Sequence, residues 1–312
     1  MQTLMCNLCH SNDFELLYKL PDLLLQREQV ISTFVRCKQC GLVLQNPRPN
    51  IEEMSFHYPP EYDSYTTALN NNQTPWLLQK AYRYGIEKRG RIVRNHKKSG
   101  RLLDIGCATG VFLAGMKVHP EWELIGVEIN KQAAEIAREQ NQLNVVHGTL
   151  EDAGFPSEFF DAVTMWDVLE HLHDPSSSLK EIHRILKPDG VLVFRVPNLN
   201  SWDAKLFGAA WAGLDAPRHL YVFDPQTLSS LLAKNNFEIH KMGCNIGSYP
   251  TFLLSLRFWL LAKGIPESIR MTVLKILHHP IMRVISSPLF FVYGLGLRGP
   301  LITVVATKRE VD

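Results

Sequence analysis

The sequence lacks the features of a secreted or membrane-spanning protein. Its N-terminus, Met-Gln-Thr-Leu-Met-Cys, has no basic segment followed by an apolar core, so we expect no signal peptide. Residues 250–300 are dense in Leu, Ile and Phe, but their longest uncharged run, residues 284–297, has 14 residues and contains Pro288. Because such a run is too short to span a bilayer, we expect no transmembrane helix from this region.

The sequence also lacks a strong charge of either sign. The formal net charge is +2, which by itself gives no argument for a nucleic-acid partner. The composition is otherwise ordinary, with 46% hydrophobic and 21% charged residues in a chain of 312. A chain of this size can bury one main core together with a smaller appended module.

Cysteine is scarce, but four of the six cysteines form two Cys-x-x-Cys pairs: Cys6 and Cys9, then Cys37 and Cys40 after a gap of 27 residues. In a reducing cytosol such pairs bind metal rather than form disulfides, so we expect a cytoplasmic protein. Two pairs complete a tetrahedral site, and the nearby sequence offers neither an open coordination position nor a catalytic base. We therefore predict structural zinc in a module over residues 1–45.

A complete dinucleotide fingerprint is absent too. Residues 101–110, Arg-Leu-Leu-Asp-Ile-Gly-Cys-Ala-Thr-Gly, predict a buried strand that turns sharply into a helix, with Gly106 and Gly110 at the turn. The fingerprint requires glycine at its third and sixth positions, where this chain has Ala108 and Val111. The substitutions disfavour a dehydrogenase.

An acid nevertheless stands where a nucleotide-binding fold would place one. Residues 123–129 predict the next strand, and Glu128 lies at its end, roughly 20 residues past the first glycine. In nucleotide-binding α/β folds an acid at this point accepts hydrogen bonds from ribose hydroxyls. The pattern predicts a nucleotide-like ligand without identifying it.

Two segments resemble motifs of a family whose nucleotide-like ligand is known. Residues 104–110 resemble motif I of the class I S-adenosylmethionine-dependent methyltransferases, an acid and an apolar residue before G-x-G-x-G, with alanine tolerated in the middle. Residues 160–172, followed by His-Asp-Pro, resemble the fourth motif of the same family. The resemblance covers residues 85–245 and the C-terminal strand, and it implies S-adenosylmethionine as the cofactor.

The fold expected from these patterns is α/β. Alternating strands and helices of these lengths favour a mostly parallel sheet with right-handed crossovers. The resemblance implies a seven-stranded sheet with an antiparallel last strand, formed by residues 79–249 and 300–312. We expect residues 46–78 to be a connector and residues 250–299 to be a hydrophobic helical insertion before the last strand.

The resemblance also implies the cofactor-binding residues. Asp152 would recognise the adenine amino group, with Glu151 as the adjacent alternative, although either acid could instead stabilise a helix N-terminus. Trp166 would lie against the cofactor, at the end of the fourth strand. The full predicted set is Asp104, Gly106, Cys107, Ala108, Gly110, Glu128, Ile129, Asp152, Trp166 and Asp167.

Two histidines are the candidates for removing a proton from the methyl acceptor. His219 belongs to a P-x-H-L-x-x-F pattern that is common in the relatives, within an insertion, residues 199–224, that covers the methyl-transfer centre in the family. Imidazole titrates near neutrality, which suits a general base. His171 with Glu170 is the reserve. A purely structural role stays open for both histidines, because His219 could pack or cap and His171 could orient the strand end.

Two basic stretches remain outside these motifs. Residues 79–101 carry nine Lys or Arg against one acid and predict a helix with a basic outer face, which is either solvated or a surface for polyanions. Residues 250–300 combine apolar positions with six Lys or Arg against Glu267. This mixture is typical of a helix at a membrane surface, here the inner face, but a lid or a homodimer contact also fits.

The order of Cys-Gly, Asn-Pro-Arg-Pro and a tyrosine-rich stretch resembles methyltransferases of bacterial glycan and natural-product pathways. In that resemblance Tyr58, Tyr62 and Tyr65 cover the substrate, although this stretch could be a solvated linker. We expect a small-molecule acceptor: a sugar, a lipid-linked intermediate or a secondary metabolite. The alternatives are an RNA or protein methyltransferase, which the few aromatics among the basic residues disfavour for RNA, and a non-enzymatic zinc-ribbon adaptor.

Overall fold

The computed structural model describes residues 1–59, 76–244 and 248–309. Its strands are β1 (Phe14–Asp22), β2 (Arg27–Cys37), β3 (Val43–Gln45), β4 (Gly100–Ile105), β5 (Trp122–Glu128), β6 (Asn144–His147), β7 (Phe160–Trp166), β8 (Leu186–Pro197), β9 (Tyr221–Val222), β10 (Phe237–Gly243) and β11 (Leu301–Lys308). Its α-helices are α1 (Ile51–Met54), α2 (Trp76–His96), α3 (Val111–Met116), α4 (Lys131–Glu139), α5 (Pro175–Ile185), α6 (Trp202–Phe207), α7 (Pro225–Lys234), α8 (Ser248–Ala262), α9 (Glu267–His278) and α10 (Pro280–Tyr293).

The main sheet has seven strands in the order β10-β11-β8-β7-β4-β5-β6. Strands β4 to β8 run parallel, whereas β11 is antiparallel to both β8 and β10. This confirms the predicted seven-stranded sheet with an antiparallel last strand. The chain leaves β4 towards β5 and β6 and then returns to β7 on the other side of β4. The carboxyl ends of β4 and β7 therefore border the crevice where open α/β sheets bind ligands.

Burial explains why these segments form the centre of the sheet. Residues 191–194 of β8 and 162–166 of β7 are buried, as expected for strands that helices cover on both faces. Side-chain caps begin the neighbouring helices: Asn130 for α4, Asp174 for α5 and Asp224 for α7 each accept a hydrogen bond from a backbone N–H of the first turn.

One local prediction is wrong in its boundaries. Residues 187–190, Lys-Pro-Asp-Gly, predict a turn between a helix and a strand, but β8 already begins at Leu186. The pairing with β7 jumps from Phe160 opposite Leu186 to Ala162 opposite Val191, so the intervening residues bulge out of the ladder. Proline and glycine are tolerated in such a bulge because the ladder is interrupted there.

A second sheet joins the N-terminal module to the rest of the protein. Its order is β1-β2-β3-β9, and β9 comes from the insertion that follows β8. The first Cys-x-x-Cys turn also contacts the larger domain, because Lys234 at the end of α7 donates hydrogen bonds to the carbonyls of Asn7 and Leu8, at 2.8 and 2.9 Å. The module is therefore built partly from residues far along the chain.

A buried arginine connects the same parts. Arg218 is 0% exposed, and its guanidinium donates to both carboxylate oxygens of Asp22, at the end of β1, at 3.0 and 2.8 Å. It also donates to Asp215 in the insertion at 2.8–3.1 Å. The cation is thus shared between two carboxylates, which fixes residues 215–219 against the N-terminal sheet.

The segment before the last strand forms the predicted hydrophobic helices, α8, α9 and α10. Helix α8 packs inward through Leu253 and Phe258, each 3% exposed, and the Ser255 hydroxyl accepts a hydrogen bond from the backbone of Ala212. Among the described residues, none of the helices combines the length and the apolar character needed to cross a bilayer.

Candidate functional site

The turn after β4 exposes backbone at the carboxyl edge of the sheet. Gly106, Ala108 and Gly110 all have positive φ, at 66°, 49° and 78°. A Cβ on Gly110 would lie 2.3 Å from Leu143 Cδ1, and one on Gly106 would lie 2.7 Å from Val168 Cγ2. Glycine is required at both positions because neither the backbone conformation nor the space accepts a side chain.

Glu128 ties this turn to the end of β5. The residue is 5% exposed, and its carboxylate accepts hydrogen bonds from the N–H of Ala108 at 2.8 Å and of Asn130 at 2.7 Å. Burial raises the pKa of this carboxyl group. The arrangement holds the acid beside the glycine turn, where a ribose would meet it.

The predicted adenine end lies around Ile129 and Asp152. Ile129 is 63% exposed, so it offers an apolar surface directly after Glu128. Asp152 follows β6 and accepts hydrogen bonds from the hydroxyl and the N–H of Thr149, at 2.8 and 3.2 Å. Glu151 instead accepts a hydrogen bond from Ser178 in α5. Each of the two acids therefore accepts a hydrogen bond from a nearby hydroxyl.

Asp104 is buried beneath the turn. It is 3% exposed, and the Thr164 hydroxyl of β7 donates to its carboxyl oxygen at 2.6 Å. Burial raises the pKa of Asp104 to about 7. A buried carboxyl group that titrates so close to neutrality is a common feature of functional sites.

Arg89 lies at this edge of the sheet beside Trp166, a position that was not predicted from the sequence. Its guanidinium lies 5.2 Å from the centre of the Trp166 ring, and its Nε has no hydrogen-bond partner within the described residues. Burial lowers the pKa of Arg89 to about 10. The number of Lys and Arg residues in α2 predicted a basic outer face. A count of charges cannot show that the side chain of Arg89 packs towards Trp166. The helical position of Arg89 relative to the apolar Ile86 and Val93 was the available signal.

Asp167 and Arg195 form an ion pair at the ends of β7 and β8. Arg195 Nε donates to Asp167 Oδ1 at 2.8 Å, and Arg195 Nη2 contacts the second oxygen. Burial opposes ionisation of Asp167, but the guanidinium lowers its pKa below the ordinary value. Asp167 has a φ of 60°, an uncommon conformation for a residue other than glycine.

The two candidate histidines lie together next to this ion pair. The rings of His171 and His219 are 4.6 Å apart between centroids, and Glu170 is fully buried beside them. The Tyr58 hydroxyl is 2.9 Å from His171 Nδ1, whereas Tyr62 and Tyr65 lie outside the described residues. Burial lowers the pKa of His171 to about 3 and also lowers that of His219. Both imidazoles are therefore neutral at pH 7.

The four N-terminal cysteines converge at a separate place. Sγ atoms are 3.5 Å apart between Cys6 and Cys40 and 3.4 Å apart between Cys9 and Cys37, and all four lie within 4.8 Å of one another. A tetrahedron with Zn–S bonds of about 2.3 Å has edges of about 3.8 Å. The cluster is compatible with a zinc ion bound by four thiolates.

Comparison with known proteins gives a consistent family. A profile of the family described as "Methyltransferase domain" matches residues 78–242, just over half of the chain. A methyltransferase of Schizosaccharomyces pombe, itself uncharacterised, is 30% identical over 187 residues, which are 55% of this chain and 59% of that protein. The ubiquinone biosynthesis O-methyltransferase of Histophilus somni is 26% identical over 172 residues, 51% of this chain and 72% of that protein.

A solved structure agrees at the level of the fold. The [4+2]-cyclase SpnF superposes with a TM-score of 0.50 at 18% identity, over 85% of this chain and 99% of that one. At this identity the likeness concerns the fold alone.

Asp104 generates a prediction about pH. Its pKa is 3.8 when unperturbed and about 7 in the folded protein, so between these values the folded state holds a proton that the unfolded state has lost. The free energy of unfolding should therefore fall as pH rises from about 4 to about 7, by up to about 1.4 kcal/mol per pH unit from this residue. Asp104→Asn should remove that part of the slope.

Urea unfolding of the wild type and of Asp104→Asn at several pH values measures the difference between the two curves. Asp189→Asn is the control, because Asp189 is exposed and its pKa is lowered by Lys97 rather than raised. Parallel curves for the wild type and Asp104→Asn across this range would contradict the assignment.

Proposed function

The chain belongs to the methyltransferase domain family, and we propose that it transfers the methyl group of S-adenosylmethionine to a small molecule. The observation that carries this proposal is the positive-φ turn of residues 106–110, joined to Glu128 at the switch point of the sheet. The curated relatives named above are methyltransferases. Since the chain spans 59% of the length of the Schizosaccharomyces pombe relative, the activity is inferred from this chain's own site.

The residues fit the cofactor in three parts. Glu128 would receive the ribose hydroxyls, while Ile129 and Asp152 would contact the adenine. The positive-φ turn at Gly106 and Gly110 would let the backbone pass close to the ligand. In the proposed complex, Asp104 would face the amino group of the methionine moiety.

Arg89 would bind the carboxylate of the same moiety. Its buried Nε lacks a partner within the described residues, so an anion would satisfy a donor that is otherwise costly to bury. Arg195 is already paired with Asp167, which leaves Arg89 as the nearby guanidinium able to accept another anion. Trp166 lies under Arg89 and would form one wall of the site.

When bound, S-adenosylmethionine supplies a methyl group already activated by the sulfonium. The protein then has to hold the acceptor in line, exclude water and remove a proton. His219 is the proposed base, with His171 in reserve, because both neutral imidazoles lie beside Asp167 near the carboxyl ends of β7 and β8. Burial lowers the pKa of both imidazoles, that of His171 to about 3.

Cofactor binding tests the first half of this proposal. Glu128→Gln should weaken S-adenosylmethionine binding at least about 10-fold in calorimetry, because charge-assisted hydrogen bonds to the ribose are lost. Glu139→Gln, an exposed change at the end of α4, is the matched control and should bind like the wild type. No detectable heat with the wild type would overturn the proposal.

Transfer of a labelled methyl group tests the second half. Incubation with methyl-labelled S-adenosylmethionine should label a molecule in a small-molecule or lipid extract, and nuclease treatment should not reduce the signal. His219→Ala should abolish most labelling while cofactor affinity stays unchanged. Label found in RNA or protein would favour the macromolecular alternative. Binding without labelling of any fraction would favour a cofactor-binding adaptor.

We also propose that the cysteine cluster binds one structural zinc. The cluster lies where the N-terminal turns contact α5 and α7, since Asn7 donates to Asp174 at 2.9 Å and accepts from Ser176 at 2.8 Å. Zinc would stabilise turns whose own core is small.

Elemental analysis should find zinc in the wild type, and Cys40→Ser should lose it together with a decrease in Tm. Cys244→Ser is the control, because Cys244 lies outside the cluster. Full zinc retention by Cys40→Ser would contradict the proposal.

Helices α9 and α10 support peripheral contact with the inner face of a membrane. They expose large apolar side chains, including Val284 at 71% and Phe291 at 73%, beside the cations Arg270, Lys275 and Arg283. Beneath α10 lies an apolar cavity of about 190 Å³, lined by residues such as Phe252, Met282 and Phe290. Such a combination suits an anionic lipid surface and a lipid-linked acceptor.

Liposome flotation tests this contact. The wild type should float with vesicles that contain anionic lipid, and Val284→Asp should reduce the floating fraction several-fold. Val118→Asp is a close control, since Val118 is 72% exposed but distant in sequence from these helices. Wild-type protein that stays at the bottom would exclude the membrane role. A dimer that Val284→Asp dissociates would instead favour a subunit contact.

A further inference from the structure

A second group of metal-binding side chains lies where the end of β7 meets the insertion after β8. Glu170, His171 and His219 present ligand atoms that all lie within 4.8 Å of one another. We propose that these three side chains bind a divalent transition-metal cation. The inference rests on the proposed function, because the cation would act on the molecule that accepts the methyl group.

Glu170 provides the first argument. It is 0% exposed, and neither carboxylate oxygen has a hydrogen-bond partner within the described residues. Buried carboxylates in native proteins are normally hydrogen-bonded, paired with a cation or bound to a metal. Two nearby guanidinium groups are already paired with other carboxylates, Arg195 with Asp167 and Arg218 with Asp215. A metal ion would supply the partner that Glu170 lacks.

The two histidines provide the second argument. His219 Nδ1 lies 2.9 Å from the Gly213 carbonyl, and His171 Nδ1 lies 3.0 Å from the Arg218 carbonyl. Since a carbonyl oxygen only accepts, each Nδ1 carries the hydrogen and each Nε2 keeps its lone pair. The Tyr58 hydroxyl oxygen, near the same His171 nitrogen, can share that hydrogen.

Within the part of the chain that the structure describes, neither Nε2 forms a hydrogen bond that competes with a metal. His219 Nε2 lies 4.0 Å from Asp215 Oδ2, which is beyond hydrogen-bond distance. Metal-binding histidines are typically held in this way, with the second ring nitrogen donating to a carbonyl or carboxylate. The backbone therefore presets both imidazoles as ligands.

The donor set selects the kind of cation. Two imidazoles and one carboxylate suit manganese, iron or zinc better than calcium or magnesium, which prefer oxygen ligands. Three protein ligands leave coordination positions open, unlike the four cysteines of the N-terminal cluster. An open position would accept an oxygen of the methyl acceptor.

This site specifies the class of acceptor. A hydroxyl bound to a divalent cation loses its proton more readily, so the proton passes to solvent and leaves an alkoxide or phenolate. Its oxygen would form a bond to the methyl carbon while the bond between that carbon and the sulfonium sulfur breaks, leaving a thioether. The acceptor is therefore a hydroxyl-bearing small molecule. With the cation bound, His219 and His171 would serve as ligands, and the role of proton acceptor that we propose for His219 in the metal-free site would pass to solvent.

Manganese binding tests the inference on the full-length protein with its N-terminal metal in place. Titration with Mn²⁺, followed by electron paramagnetic resonance and calorimetry, should show one site per chain. Glu170→Gln keeps the shape of the side chain and should weaken Mn²⁺ binding more than 10-fold. His219→Gln should weaken it to a similar extent, and it serves as the test if Glu170→Gln folds poorly. Glu139→Gln should bind like the wild type. No wild-type site, or undiminished binding by folded Glu170→Gln and His219→Gln, overturns the inference.

Calorimetric titration of the wild type and Glu170→Gln with S-adenosylmethionine separates this inference from the proposed function. Glu170→Gln should keep wild-type affinity for the cofactor, because Glu170 lies outside the proposed cofactor contacts. Cofactor binding without any Mn²⁺ site would refute the metal inference alone. A Mn²⁺ site that needs Glu170, in a protein that binds no S-adenosylmethionine, would refute the proposed function and keep the metal assignment.

Discussion

The structure depends on one buried cation shared between two carboxylates. Arg218 bridges Asp22 in the N-terminal sheet and Asp215 in the insertion, and all three side chains are largely excluded from solvent. Loss of one partner from such a group typically costs about 3–5 kcal/mol, because a charge is left buried and unpaired. That is a large fraction of the 5–15 kcal/mol that stabilises a typical domain. The position of the insertion therefore depends on the presence of all three residues.

The same interaction also affects the two histidines of the candidate site. Arg218 accepts a hydrogen bond from His171 through its carbonyl, and the next residue is His219. The guanidinium holds this backbone in place. The Arg218 carbonyl sets the tautomer of His171, and the Gly213 carbonyl sets that of His219. β9 continues from the same segment and completes the sheet that carries the cysteine cluster. The N-terminal module and the histidine cluster are thus parts of one connected structure.

Much of the fold could be predicted from local pattern. The alternating apolar segments predicted a mostly parallel α/β sheet, because strand and helix periods are properties of short stretches of chain. The number of strands and the antiparallel last strand came from the resemblance to the methyltransferases. The ends of elements were less accurate: β8 includes residues 187–190, since pairing with β7 continues on both sides of a bulge. Arg89 was missed for a related reason. Whether a basic residue on α2 faces solvent or Trp166 depends on what the helix packs against.

The sequence by itself determined the family, the glycine-containing turn and the two Cys-x-x-Cys motifs, because each depends on residue type at short, defined spacing. The tertiary structure alone decided which distant side chains meet. Glu170 and His171 are separated from His219 by almost 50 positions, and Asp22 is 196 positions from Arg218. No local pattern encodes those contacts. They arise when parallel strands bring their carboxyl ends to one edge and a buried ion group locks the insertion over that edge.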